Sequence, residues 1–364
     1  MEILPVEINS PLFAEFIDLP WRIYSDEHAW VPPLKAAVTS ELSATNPFFN
    51  HGKVQLFAGL DSARRVVGRI AASIDYSLAD PQIGHFGYFE AIDDQKLAQM
   101  LLTAAEDWLR SQGRAAIHGP VNLHIFNQYR LMTDGFERPP FYGEPRSPRY
   151  YAPLLLANGY QQLTYWRSWD IPCSFMQAFK RAVGQKAASY QGLLERYSIE
   201  RFAIERFDQE CAALYPVVLE TYAENYGYSA ISREEFIGRF FEAKDIICVP
   251  VSRKTLELAT GELVAYLYTY NDPSAAFIAA NGEISQLSLA DVKLQTLVLH
   301  TVGICKAHRK FGLVEVGLDQ VLDDILRLPF QLVIGALVKE GPAVYAATGL
   351  PASRSYGIFA KSLY

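Results

Sequence analysis

"TLVLHTVGICKAHRKFGLVEVGLDQVLDDIL", residues 296–326, decides how the chain is read. The first nine residues are apolar and rich in β-branched side chains, which predicts a strand. "CKAHRKFG" follows as a short basic turn that closes on a glycine. Valines and leucines then recur at helical spacing as far as Leu326. A strand that feeds a helix through a tight turn leaves the first helical N–H groups without partners, and that end of a helix attracts anions. In α/β proteins such a turn, beside a splayed sheet, is a place where cofactors bind. The alternative is a turn that is merely basic.

Working outward, the same order of elements occurs twice. In the first half "ILPVEI" reads as a strand and "PLFAEFIDLPWRIY" as a helix. "VQLFAGLD" and "VVGRIAASID" form a hairpin, and "IGHFGYFEAI" is another strand. "DDQKLAQMLLTAAEDWLRSQG" is an amphipathic helix capped by Asp93 or Asp94 and ended by Gly113. "AAIHGPV", a short helix "YYAPLLLANGY" and a strand "LTYWRSWDI" complete it. The second half repeats the plan with a strand "IERFAIERF", a helix "DQECAALYPVVLETYAENYGY" and a hairpin of "DIICVPVS" with "ELVAYLYTYN". The quoted strand–turn–helix comes next, then "FQLVIGALV", a short helix "GPAVYAATGL" and a last strand "SYGIFAKSL". Residues 172–196 read as a helical, cationic linker on the surface between domains at 1–171 and 197–364. The fold class is α/β (α+β), with two domains in tandem, each a mixed sheet flanked by helices.

Composition limits the function. A chain of 364 residues, 50% apolar, is long enough for two cores. A net charge of −7 offers no basic surface for nucleic acid or anionic lipid. No apolar run reaches the roughly 18 residues of a membrane span, and the start "MEILPVEINS" is not a signal peptide. The 4 cysteines and 7 histidines show no metal-ligand spacing, so no metal is expected. These features describe a soluble cytoplasmic protein.

The order of elements resembles the GNAT acyltransferase fold in tandem. The family's donor motif runs Arg or Gln, two residues, Gly, one residue, Gly or Ala, and "RKFGLV" supplies Arg309 and Gly312, with Val314 where a small residue is usual. "YAATGL" supplies a tyrosine, Tyr345, four residues before Gly349. A bacterial, mostly uncharacterised GNAT-like group is resembled more closely, through "FIDLPWRIY", "WVPPL", "NPFF", "VGRIAASID", "GYFEAIDD", "GPVN", "DGF" and "ENYGYSAIS".

The resemblance implies an acyl-CoA donor, either acetyl-CoA or a longer acyl-CoA, and an amine acceptor. Arg309, Lys310, Phe311, Gly312, Leu313 and Val314 would hold the pyrophosphate, and Val302 and Ile304 the pantetheine arm. Tyr345 would protonate the leaving thiolate, and His300, on the strand before the turn, would be the base. Tyr222, Tyr226 and Tyr228, with Glu220 and Glu224 nearby, and Asn122 would line the acceptor pocket. The first half offers Glu90, Asp93 and Asp94 at its equivalent turn, so it would shape the cleft and bind no phosphate. Two rival functions follow from the same resemblance: a non-catalytic binding protein, and a long-chain N-acyltransferase acting on a lipid amine.

Overall fold

The computed structural model describes residues 1–26, 30–290, 292–309, 312–339 and 349–364. Its first half contains β1 (Glu2–Val6), α1 (Pro11–Ile23), α2 (Lys35–Glu41), β2 (Gly52–Leu60), β3 (Val66–Asp75), β4 (Ile83–Ala91), α3 (Gln95–Ser111), β5 (Ala116–Gly119), β6 (Leu131–Asp134), α4 (Tyr151–Ala157) and β7 (Gln161–Pro172). The connector carries α5 (Met176–Ala187). The second half contains β8 (Tyr197–Glu200), α6 (Phe207–Tyr222), α7 (Arg233–Phe241), β9 (Arg253–Glu257), β10 (Leu263–Asn271), α8 (Ser274–Ala280), β11 (Thr296–Ile304), α9 (Leu313–Arg327), β12 (Leu332–Lys339) and β13 (Arg354–Ser362).

The strands join one mixed sheet in the order β1-β2-β3-β4-β5-β13-β7-β12-β11-β10-β9-β8, with β6 beside β13. The final strand of each half therefore lies against the other half. β13 pairs with β5, β7 pairs with β12, and β7 and β13 pair with each other at the centre. Helices cover both faces of each half, and their apolar stripes bury against the sheet. Leu97, Leu101, Leu102 and Leu109 of α3 are buried, each contributing about 1.5–3 kcal/mol. Asp94 caps that helix, accepting from the Leu97 N–H at 2.8 Å.

Four expectations need correction. "DIICVPVS" is not a strand. Cys248 and Val251 bury beneath β10, and Ser252 Oγ receives the Thr269 N–H at 3.0 Å, so the segment is a hydrogen-bonded turn with strand-like composition. The strand that pairs with β10 is "RKTLE", Arg253–Glu257. "IERFAIERF" yields only the end of β8, because the chain turns at Ile204–Arg206 to start α6. α6 itself stops at Tyr222, short of the expected Tyr228. The connector does more than lie on the surface: Met176, Phe179 and Val183 of α5 pack into the same apolar cluster as Val321 and Ile325 of α9.

Polar contacts also cross between the halves. Trp21 Nε1 donates to Asn281 O at 3.0 Å, and the Lys35 N–H to Gly282 O at 3.0 Å. Gly282 has φ 88, and a Cβ there would lie 2.3 Å from the Trp21 ring, so only glycine fits. His51 bridges Asp75 at 3.0 Å and Glu235 at 3.1 Å, and Arg239 reaches Glu41 at 3.2 Å.

The exchange of final strands leads to a prediction about the domain boundaries. Residues 1–171 made alone would expose the edges of β5 and β7, and residues 197–364 would leave one edge of β12 and both edges of β13 unpaired. Each piece is expected to be insoluble or unfolded, whereas the two co-expressed should purify together. Separate thermal transitions from two soluble pieces would contradict this.

Candidate active site between the two halves

The parallel pairs β4–β5 and β11–β12 occupy equivalent places, and each pairs only briefly. β11 and β12 are in register from Thr296 opposite Leu332 to Leu299 opposite Gly335 and then diverge. At that point β11 also slips against β10. Tyr268 faces Thr301 while Thr269 faces Leu299, which leaves His300 as an extra residue in a β-bulge. The splay leaves Val302 57% exposed. Beyond it lies the basic turn and then α9, whose N-cap is Gly312 at φ 78 with no side chain capping the helix. The first N–H groups of α9 therefore have no side-chain acceptor of their own, unlike those of α3.

The first half has the same bulge, but closed. β3 and β4 slip between Arg69 opposite Glu90 and Ala71 opposite Gly87, and Tyr88 takes φ 49. Its N–H donates to Asn122 Oδ1 at 2.7 Å, and the Val121 N–H donates to Phe86 O at 2.7 Å. A Cβ on Gly87 would lie 2.3 Å from Val121 O. Loop 121–130 thus fills the first splay; among the described residues nothing fills the second.

The open splay leads into a cavity of about 970 Å³ between the halves. β10, β11, β12, α6 and the start of α9 form one wall; α2, loop 122–130 and residues 140–146 of the first half form the other. His300, Val302, Ile304, Leu313, Val314, Tyr222 and Asn122 all line it. Tyr222 stacks on Phe126 with ring centroids 5.1 Å apart. Asn122 is already engaged by Tyr88. Tyr226 and Tyr228 lie away from the lining: Tyr226 bonds His118, and Tyr228 meets Phe126 edge-on at 6.3 Å. Tyr345, Lys310 and Phe311 fall outside the described residues.

The basic turn is already in use. Arg309 donates to Ile304 O at 3.0 Å and pairs with Glu224 at 2.5 Å, and Lys306 pairs with Glu224 at 3.2 Å. The Lys306 N–H donates to Glu220 at 2.7 Å. These two carboxylates, expected to hold an amine, face the turn instead. The ring of Tyr190, from the connector, packs over Gly312, so close that a Cβ there would lie 2.3 Å from it.

His300 accepts from or donates to Thr301 Oγ1 at 2.7 Å, and its ring meets those of Tyr268 and Tyr270 at 5.9 and 5.8 Å. Burial, aided by the nearby Arg130 guanidinium, lowers its pKa to about 4, so the imidazole is neutral at pH 7. Arg130 escaped the sequence reading, as did the bulge. Arg130 lies in the loop that follows "GPVN", residues 119–122. A bulge leaves no signal in composition.

Solved structures with this arrangement identify the fold. A tandem GNAT protein from the clavulanic acid biosynthesis pathway superposes over 100% of this chain and 98% of its own, with a TM-score of 0.57 and 13% identity. The chain has the tandem GNAT fold. A GCN5-related glucosamine N-acetyltransferase region of a fungal β-N-acetylglucosaminidase also matches, with a TM-score of 0.57 and 14% identity, over 99% of this chain and 38% of that one. In sequence, this tandem GNAT chain is 33% identical over 246 residues to the bacterial ceramide synthase of Caulobacter vibrioides, covering 65% of this chain and 61% of that protein. It is 31% identical over 235 residues to protein YghO of Escherichia coli, covering 63% and 58%. The chain thus spans about three-fifths of the length of these curated relatives. No family model matches it. Among the described residues no helix is long and apolar enough to cross a membrane, and no side-chain cluster is fit to hold a metal.

The state of His300 can be measured. Imidazole NMR of the labelled protein should show it neutral down to about pH 5, with a midpoint near 4, as for the buried His85 and His124. His51 should titrate above 6.5: burial alone would lower it, but its bonds to Glu235 and Asp75 outweigh that. A His300 midpoint near 6.5 would mean an open, solvated ring.

Proposed function

We propose that the chain is an N-acyltransferase that moves an acyl group from an acyl-CoA to an amine carried by an amphiphile. The observation that carries this reading is the open splay at the His300 bulge, which leads directly into a cavity shared by both halves. At about 970 Å³ the cavity is at the upper end for small-molecule sites and well beyond the needs of an acetyl group. The name of the Caulobacter relative, a ceramide synthase, agrees with a lipid amine as acceptor. We take the site of action to be the cytoplasm, where CoA thioesters are held.

In this reading the pyrophosphate sits on the N–H groups at the start of α9, with Gly312 allowing close approach. The pantetheine arm runs along Val302 and Ile304 in the splay. The acyl carbonyl lies at the bulge, where a backbone N–H outside the paired rungs can polarise it. The amine attacks the carbonyl carbon, the N–C bond forms, and the C–S bond breaks. Neutral His300 receives the proton released by nitrogen, and the thiolate takes a proton from Tyr345. With its pKa lowered to about 4, His300 is unprotonated at pH 7 and so has a lone pair free to accept the proton. The first half supplies the acceptor wall and binds no donor, since Asn122 and Asp94 fill its equivalent positions.

One set of observations favours a second reading, a binding protein without turnover. Tyr190 covers Gly312, and Glu224 engages Lys306 and Arg309 of the turn. A donor has to displace Glu224 from exposed pairs that solvent screens and that resist only weakly.

Thermal unfolding with CoA, acetyl-CoA and palmitoyl-CoA separates the two. Wild type should melt higher with a donor, most with palmitoyl-CoA, and Gly312→Asp should lose the rise. Glu224→Gln should bind CoA about two- to fivefold more tightly at low salt, because Arg309 and Lys306 are freed. Release of free thiol on adding a long-chain amine distinguishes the enzyme from the binding protein. No rise with any donor sinks the acyl-transfer reading.

A further inference from the structure

Several cations line the cavity, and three of them have a carboxylate partner among the described residues. Arg69 faces Glu90 at 4.0 Å, Arg239 pairs with Glu41 at 3.2 Å, and Arg253 pairs with Asp324. Arg130 differs. Among the described residues no carboxylate lies within ion-pair distance of it. The carboxylate on the neighbouring loop, Glu144, already accepts from the Tyr356 hydroxyl at 2.6 Å and pairs with Arg354 at 2.9 Å.

Arg130 is nevertheless held firmly. Its backbone N–H donates to Pro120 O at 3.0 Å, and its backbone takes φ 83, an unfavourable conformation for a residue with a Cβ. The guanidinium lies 3.8 Å from the Tyr129 ring centroid and 4.5 Å from that of Trp166, and it donates to the Tyr129 hydroxyl. Its Nε has no partner. The structure thus accepts a strained backbone and an uncompensated charge to fix one planar fork of donors in an apolar chamber. Two rings set the plane of the fork, which matches the geometry of a carboxylate or phosphate. A buried cation of this kind is costly until an anion arrives.

We propose that Arg130 receives the anionic group, carboxylate or phosphate, of an amphiphile whose apolar part fills the cavity. Under the acyl-transfer reading that amphiphile is the acceptor, an amine that also carries an acid. The identity of the amphiphile as acceptor rests on that reading; the anion site itself does not. Arg130 comes from the first half and faces chemistry on β11 of the second, so the donorless half would select the substrate.

The test is calorimetric titration of the full chain with decyl phosphate, decanoate and decanol, each below its micelle concentration and without CoA. Wild type should bind at least one anion about tenfold or more above decanol, and the preferred anion identifies the group. Arg130→Met should bring the anions to about the affinity of decanol and leave decanol unchanged, while Arg130→Lys keeps part of the preference. Without ligand, Arg130→Met should melt at the same temperature as wild type or higher, because an uncompensated charge is gone. Equal binding of all three probes by wild type, or an unchanged preference in Arg130→Met, overturns the proposal. So does a lower melting temperature of that variant, which would make Arg130 structural. Failure of acyl transfer shows elsewhere, as absence of CoA binding, and does not touch this titration.

Discussion

The antiparallel ladder between β7 and β13 is the constraint on which everything else rests. Each strand is the last of its half, and each completes the sheet of the other. At the start of β13 the buried Arg354 binds Glu144 and Asp170 and donates to Pro139 O at 2.8 Å. Breaking one partner of such a buried set costs several kcal/mol, because the remaining charge is stranded. The ladder fixes the angle at which the two splays face each other, and so the cavity.

Within that frame the halves have diverged at two small places. A carboxylate caps α3, and a glycine precedes α9. An amide fills the bulge at Tyr88, and among the described residues nothing equivalent fills the bulge at His300. One backbone plan thus yields a closed, load-carrying half and an open one. Arg130 shows that the closed half is not inert, since its plugging loop also delivers a cation to the open site.

Much of this was legible in the sequence. Periods of two and of 3.6 residues marked β2–β4, α3, β11 and α9, because each buries one clear face. Gly312 and the basic turn stood out for the same local reasons. What the sequence hid was long-range. "DIICVPVS" has the composition of a strand, and only its burial beneath β10 makes it a turn. The two halves read as successive domains because nothing in "SYGIFAKSL" announces that it pairs with "AIHG". Glu224 looked like an amine ligand until α6 ended early and turned it toward Arg309. Arg130 lies a few residues past "GPVN", but its lack of a carboxylate partner among the described residues is a fact of packing.

The exchange of final strands also has a consequence for synthesis on the ribosome. Gly119 pairs with Phe359, so the first half cannot close its sheet when its own residues have emerged. β5 and β7 must wait as open edges while the whole second half is translated, a long interval in which another chain could pair with them. Contacts this distant in sequence also make for slow folding. The molecule's quality control is therefore all-or-nothing: a chain truncated before β13 lacks the strand that closes both halves.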